Sequence, residues 1–283
     1  MPELPEVESL RRSLEPRLVG RLVRRAQLLR ADICSPTPRS ARDRAHRLLQ
    51  NATIASIERR GKQLALVAAD GRALIIQLGM SGQVLLLPDP ADIAIHTHVH
   101  ALWTIDRGDT MLFRDPRRFG GLRPLPTRLD LDAVAWNNLG PDALAIQGHQ
   151  LHQAAASSAR SIKSVLLDQS VLAGVGNIYA DESLFLARLH PLTPARDLTP
   201  RHWDTLAARI RDVLQAAIAQ GGSTLRDYVD ALGRAGAATN SHRVYGRRDL
   251  PCLACGTPLV HTLVSQRSTV SCPRCQPPHP RPQ

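Results

Sequence analysis

Four of the five cysteines stand as Cys252-x-x-Cys255 and Cys272-x-x-Cys275, with 16 residues between the pairs. No other feature restricts the folding of this chain as strongly. Each CxxC knuckle turns two thiolates toward one point, and two knuckles complete a tetrahedral all-thiolate site. Zinc is the expected metal, and redox-active pairs are the alternative for the same spacing. Four thiolates leave no ligand position for water, so the expectation is one structural Zn2+ per chain. Between the knuckles, residues 258–264 and 269–271 read as a hairpin tipped by Gln266-Arg267-Ser268. A small, metal-held hairpin presenting Arg suits a phosphate. Cys34 is left over and reads as an inert buried thiol.

The rest of the chain is long enough for two domains, at 283 residues. It carries 36 Lys and Arg against 25 Asp and Glu, a formal net charge of +11. Nucleic acid is therefore the leading partner class. The basic residues are almost all Arg; Lys stands only at Lys62 and Lys163. Lysine supplies a movable point charge or an amine nucleophile, which the planar Arg fork does not. No apolar run approaches the length of a membrane span. Residues 1–10 hold three glutamates and no apolar core of a signal peptide. A cytoplasmic protein is expected, with no membrane partner.

Periodicity divides the chain. Val7, Leu10, Leu14 and Leu18 form a helical stripe, with Pro5 in the first turn and Glu6 and Glu8 at the positive end of the dipole. Pro16 should kink or end this helix, and Gly20 should stop it. Strands are expected over 63–69, 73–78, 84–87, 99–105 and 110–113, the first two joined at Asp70-Gly71. Such spacing suggests a β-sandwich of about 120 residues. Pro124 and Pro126 mark a linker over 123–132. Helices follow over 161–172 and 177–189, and a third runs from the Thr199 cap toward Gly221. The four prolines of 277–283 read as a disordered tail.

The N-terminus carries a chemical possibility. Removal of Met1 leaves Pro2 with a free secondary amine. An α-amino group titrates near pH 8 against about 10.4 for Lys, so more of it than of a Lys amine is unprotonated and nucleophilic at neutral pH. Attack on a sugar anomeric carbon gives an iminium, an electron sink that promotes elimination, with Glu3 beside it as acid and base. The same residues also read as ordinary helix-start chemistry.

Met1-Pro2-Glu3-Leu4-Pro5-Glu6-Val7-Glu8 resembles the N-terminus of the formamidopyrimidine-DNA glycosylase (Fpg/MutM) family. Gly79-Met80-Ser81-Gly82 and Asp115-Pro116-Arg117-Arg118-Phe119-Gly120 resemble two of its loops. Ser161-Ile162-Lys163 and the run from Leu172 to Ala180 resemble its helix–two-turns–helix element. Tyr245-Gly246-Arg247, the two knuckles and Gln266-Arg267 resemble its zinc finger. These motifs occur in family order from residue 1 to about residue 276. The resemblance implies an α+β multidomain fold. It would comprise a catalytic β-sandwich with its N-terminal helix (1–122), a linker (123–132), a helical helix–two-turns–helix domain (133–243), a zinc finger (244–276) and a tail (277–283).

The resemblance also implies base-excision repair. Such an enzyme binds double-stranded DNA containing damaged bases as a monomer, flips out an oxidised purine (8-oxoguanine or a formamidopyrimidine), excises it and cuts the strand. Pro2 would form the Schiff base, Glu3 would shuttle protons, and Lys62 would act beside them on a flanking phosphate. Glu6 would help order the lesion pocket, where Lys163 and Tyr245 are also placed. Asn177 and Arg267 would grip phosphates. Met80, Arg117 and Phe119 would fill the gap left in the duplex. An inserted apolar side chain offsets part of the cost of unstacking, although Met80 and Phe119 also read as buried loop anchors. His96, His98 and His100 read as one strand face. The family carries His here, which implies a structural or DNA-backbone role, and His98 is taken as a DNA contact. A cytoplasmic, nucleoid-associated protein is implied.

Two departures stand out. Gln77 occupies a position where the family usually shows His, and Ala237-Ala238 replace the aromatic residues of a lesion-capping loop over 232–239. The second weakens capping by stacking. Two other functions share parts of this pattern: an endonuclease VIII-like glycosylase for oxidised pyrimidines, and a non-catalytic lesion binder.

Overall fold

Short apolar runs over 54–125, joined by Val23–Leu28, fold into two antiparallel sheets in the computed structural model of the chain, which describes residues 2–38, 40–88 and 90–278. The chain divides into two units. The first comprises Met1–Asn138 with Gln220–Ala237, and the second Leu139–Ala219 with Ala238–Gln283.

Unit 1 begins with helix α1 (Leu4–Leu18), whose Leu4, Val7, Leu10, Leu14 and Leu18 are buried. Pro16 does not end the helix. It falls in the last turn, where its missing N–H forgoes one bond, and buried Leu14 and Leu18 hold the turn in place. Then come β1 (Val23–Leu28), α2 (Ala41–Arg47), β2 (Ile54–Arg60), β3 (Gln63–Ala68), β4 (Ala73–Gln77) and β5 (Gln83–Leu87). Strands β6 (Val99–Ile105), β7 (Thr110–Arg114) and β8 (Gly121–Leu125) complete the unit's sheets. Their orders are β1-β6-β7-β5 and β2-β3-β4-β8. Leu10 and Leu14 of α1, Leu64 and Ile76 of one sheet, and Trp103 and Phe113 of the other share one core. This is the expected sandwich.

The proline signal misled at 123–132. Pro124 lies inside β8, opposite Leu74 of β4. Leu122 presents its carbonyl to Ser35 N (2.9 Å), away from β4, and alternation turns Pro124 the same way. Its missing N–H therefore faces the outer edge, where no ladder bond is lost. Further on, Trp136 Nε1 donates to Gln63 Oε1 (3.0 Å) and Arg128 Nε to Glu58 (2.7 Å), so this stretch is bound to the sheet. Residues 220–237 also return to unit 1. Leu86 N donates to Ala231 O (2.8 Å), and Ala231 N to Ser13 Oγ (3.1 Å).

Unit 2 holds α3 (Gly148–Ala155), α4 (Ile162–Leu167), α5 (Asn177–Leu186), α6 (Pro200–Ala219), β9 (Val260–Val264) and β10 (Arg267–Ser271). In α6, Trp203, Leu206, Ala207, Ile210, Leu214, Ala217 and Ile218 are buried, the expected 3.6-residue stripe. The cysteine segment is not a separate body. Val244, Leu259 and Val270 pack with Phe185 of α5. Of the tail expected over 277–283, residues 279–283 lie outside those described, as does Met1.

Candidate functional site

In unit 1 the site starts at the amino end of α1. Pro2 is buried, Glu3 caps the helix, and Glu3 and Glu6 form a reciprocal capping box. The Glu6 carboxylate is 1% exposed and engaged on both oxygens. Oε2 accepts from Glu3 N and Oε1 from Ser223 N, both at 2.7 Å. Gly222 (φ +84) allows this approach, since a Cβ there would stand 2.9 Å from Glu6 Oε1. Tyr228 donates its hydroxyl to Glu6 O (2.9 Å), and burial pushes this phenol far above its ordinary range. Glu6 thus braces the backbone of Glu3 against the 222–223 turn. Half-buried Lys62 follows Gly61 in the two-residue turn between β2 and β3.

A second cluster joins the turn at 79–82 to the loop at 115–120. Asp115 is fully buried. Its Oδ1 accepts from Ser81 Oγ (2.5 Å) and Arg117 N (3.2 Å), and its Oδ2 accepts from Gly120 N (2.7 Å). A Cβ on Gly79 would lie 2.4 Å from the Phe119–Gly120 backbone, so glycine is required for this contact. These bonds leave Met80 37% and Phe119 57% exposed, with the Arg117 guanidinium 4.9 Å over the Phe119 ring. Large apolar side chains held out by a rigid loop do not act as core anchors, and that reading of the two residues is overturned.

The expected histidine face does not form. Only His100 lies in β6, buried, with Nε2 2.9 Å from Asp115 O. His98 precedes the strand at φ 60, is exposed, and accepts from Asp115 N through its carbonyl (3.1 Å). Asp115→Ala takes the acceptor from Ser81 Oγ and Gly120 N, while Arg117 N keeps a 3.3 Å bond to Ser81 Oγ; a buried donor left unpaired costs about 1–3 kcal/mol. The urea midpoint of this variant should fall well below wild type, whereas Phe119→Ala should stay within about 0.5 kcal/mol of it.

In unit 2 the four cysteines converge, with all Sγ atoms within 4.8 Å of one another. Cys255 and Cys272 are 3.5 Å apart, Cys252 and Cys275 3.9 Å. Tetrahedral bonds of about 2.3 Å require sulfurs roughly 3.8 Å apart, so this set fits zinc. The hairpin turn is Ser265-Gln266, both at positive φ, and Arg267 opens β10 rather than sitting at the tip. Arg267 is exposed. Beside it, Ser268 O accepts from Asn177 Nδ2 (2.9 Å) and Lys163 Nζ (3.0 Å).

Lys163 has no exposed surface. Its ammonium lies 2.6 Å from Asp181 and 2.7 Å from Thr269 Oγ1. Burial pushes Asp181 up to about 6 against the pull of Lys163, and its Oδ2 accepts from Val270 N (3.1 Å). Lys163 therefore joins α4 and α5 to β10. Half-buried Tyr245 donates its N–H to Glu182 Oε1 (2.8 Å), and this buried carboxylate also accepts from the N–H groups of Arg243 and Val244. Cys34 is buried and its thiol is pushed up to about 11 by that burial, so it is inert.

Asp115, Asp181, Glu182, Ser223 and Tyr228 were not singled out by sequence reasoning. The only local signals were the Asp-Pro start of the 115–120 loop and the Gly221-Gly222 pair.

A sandwich with a capped N-terminal helix, a helical unit and a four-thiolate hairpin define a class of α+β multidomain protein with a structural metal centre. Residues 1–122 match the formamidopyrimidine-DNA glycosylase N-terminal domain, 139–229 its H2TH domain, and 249–278 the zinc finger found in FPG and IleRS. Formamidopyrimidine-DNA glycosylases of Vibrio cholerae and Xanthomonas oryzae are 39% and 40% identical to the chain, over 98% of it and 100% of each relative. The crystal structure of MutM (Fpg) from Thermus thermophilus is similar at a TM-score of 0.83 and 38% identity, covering 99% of this chain and 100% of that one. Lactococcus lactis Fpg in complex with abasic-site DNA gives 0.88 at 31% identity, covering 98% and 100%. The chain belongs to the formamidopyrimidine-DNA glycosylase family.

Proposed function

We propose that this enzyme is a bifunctional DNA glycosylase and AP lyase that removes oxidised purines, 8-oxoguanine and formamidopyrimidines, from double-stranded DNA. The observation that carries this reading is the buried Pro2-Glu3 start, braced through Glu6, in a unit that also holds Met80 and Phe119 in the open. A relative supports the substrate class: a mutant of Lactococcus lactis Fpg has been solved in complex with Fapy-dG-containing DNA.

With Met1 removed, the Pro2 secondary amine attacks C1′ of the flipped nucleotide. Glu3 protonates the ring oxygen as the ring opens, the Pro2 nitrogen gives up its proton to solvent, and the base leaves with the electron pair of its glycosidic bond and takes up a proton from solvent. The resulting iminium acidifies the C2′ hydrogen. Loss of that proton expels the 3′ phosphate, and a second elimination expels the 5′ phosphate. Lys62, Asn177 and Arg267 hold flanking phosphates, and His98 contacts the backbone. Met80, Arg117 and Phe119 occupy the vacated stack. Tyr245 borders the lesion pocket, while Lys163 supports that pocket indirectly by holding β10. Cys252, Cys255, Cys272 and Cys275 would hold one zinc ion, which would fix the hairpin that carries Arg267. The enzyme acts as a monomer in the cytoplasm, on the nucleoid.

Single-turnover assays on duplexes carrying 8-oxoguanine, a formamidopyrimidine or thymine glycol test this reading. Both purine lesions should be released at least about 10-fold faster than thymine glycol. Faster release of thymine glycol would make the enzyme a pyrimidine-lesion glycosylase. Binding without release of any of the three would make it a lesion binder. Ala237-Ala238 in place of aromatic residues favours formamidopyrimidine over 8-oxoguanine among the purines.

A further inference from the structure

The third glutamate of the N-terminal run has no part in the proposed reaction, yet its carboxylate gathers three guanidinium groups. Glu8 is 6% exposed. Its Oε1 accepts from Arg12 Nε (2.8 Å) and an Arg11 nitrogen (3.0 Å), and its Oε2 from Arg59 Nε (3.0 Å) and Arg11 Nε (3.1 Å). Burial pushes this carboxyl up, but the three guanidiniums prevail and hold it at about 2, so Glu8 is ionised at neutral pH.

Arg59 is the partner that carries this charge elsewhere. It is 7% exposed, lies near the end of β2, and donates from a second nitrogen to Gly61 O (2.9 Å). That carbonyl belongs to the peptide joining Gly61 to Lys62. Arg60 and Gln63 close the turn as a register pair, and Gly61 (φ 56) takes the first central position, as a type II′ turn requires. A two-residue turn has one remaining soft motion, rotation of its central peptide, and the Arg59 bond opposes that rotation. The planar Arg fork can hold Glu8 and Gly61 O together; a Lys ammonium on a flexible stem cannot match both directions.

We infer that Glu8 and Arg59 are positioning residues. The helix that begins at Pro2-Glu3 uses them to orient the peptide that presents Lys62. This rests on the proposed role of Lys62 in the reaction. Neither residue is assigned a contact with DNA or with the reacting atoms in that reading. They set where the Lys62 ammonium stands relative to the N-terminal amine.

The test is a double-mutant cycle on a duplex with a preformed abasic site, read as the single-turnover rate of borohydride-trapped adduct, with KM and Tm measured alongside. The variants are Arg59→Lys, Glu8→Gln and Lys62→Ala. Arg59→Lys keeps the charge, so Tm should change little while trapping slows about 10-fold. In the Lys62→Ala background the same substitution should slow trapping less than about 2-fold, because the group it positions is gone. Glu8→Gln should behave as Arg59→Lys does, and Glu8→Asp should restore part of the rate. Equal effects of Arg59→Lys in both backgrounds, or a rate loss that only follows Tm, would overturn the positioning role and leave Lys62 in the reaction. If Lys62→Ala alone changed neither rate nor KM, the reading of Lys62 would fail first, and the positioning role with it.

Discussion

Protein that retains any residue ahead of Pro2 gives no borohydride-trapped adduct with an 8-oxoguanine duplex, while its affinity for that duplex stays within about 3-fold of wild type. This is the expected result of greatest magnitude. An added residue converts the secondary amine into a tertiary amide, which has no free lone pair to attack C1′. The loss should be on the order of 10³ or more, because no neighbouring group can replace a covalent nucleophile. Peptide mapping of the wild-type adduct should find it on Pro2, which would also establish removal of Met1. An adduct on Lys62 or Lys163 would move the nucleophile to a lysine.

Pro2→Thr is a milder change, since it leaves a primary amine in place and should slow trapping without abolishing it. Glu3→Gln should separate the two halves of the reaction. Base release needs a proton at the ring oxygen, whereas an abasic site has already lost its base. Trapping on an abasic duplex should therefore survive better than trapping on the lesion duplex. Glu3 also caps α1, so the comparison belongs beside a melting curve.

Chelation of the metal should produce the second large effect. The hairpin of β9 and β10 buries little beyond Leu259, Val264 and Val270, too small a core to fold unaided. Four-thiolate zinc contributes about 10–16 kcal/mol of apparent binding energy in small fingers, most of it expressed as folding. Removing it, or substituting Cys272→Ser, should release β10 from Asn177, Lys163 and Asp181. Arg267 then loses its fixed position. Duplex affinity should fall by about 100-fold or more, and the slope of log affinity against log salt should flatten by about one. Metal analysis should return one zinc per chain before chelation and none after. An apo protein that bound the duplex as tightly as the zinc form would show that the thiolates have another use.

The loops at 79–82 and 115–120 show where sequence reasoning stopped. Phe119 and Met80 could be anchors or wedges by composition alone. Their exposure follows from Asp115, whose carboxylate binds Ser81, Arg117 and Gly120 from two segments about 35 residues apart in sequence. The linker error has the opposite cause. Prolines disfavour strands in general, but an edge strand has one row of N–H groups with no partner, and Pro124 falls in that row. Lys163 was legible as a lysine that something had retained. Its use as a buried ion-pair partner of Asp181 was not, because the two residues lie on different helices.

Short periods and fixed spacings were legible in the chain alone. They gave the α1 stripe, strand β6 to the residue, the α6 face, the four-thiolate site, and the ordered motifs that carry the family and its chemistry. The groups that brace that chemistry emerged only in three dimensions. Residues 220–237 return to unit 1, Glu6 spans from Glu3 N to Ser223 N, Glu182 gathers three N–H groups, and Glu8 reaches Gly61 through Arg59. The physical reason is range. Helix and strand periods are set by neighbours a few residues apart. A buried carboxylate, in contrast, takes whatever donors the fold brings within about 3 Å, and nothing local in the sequence specifies them.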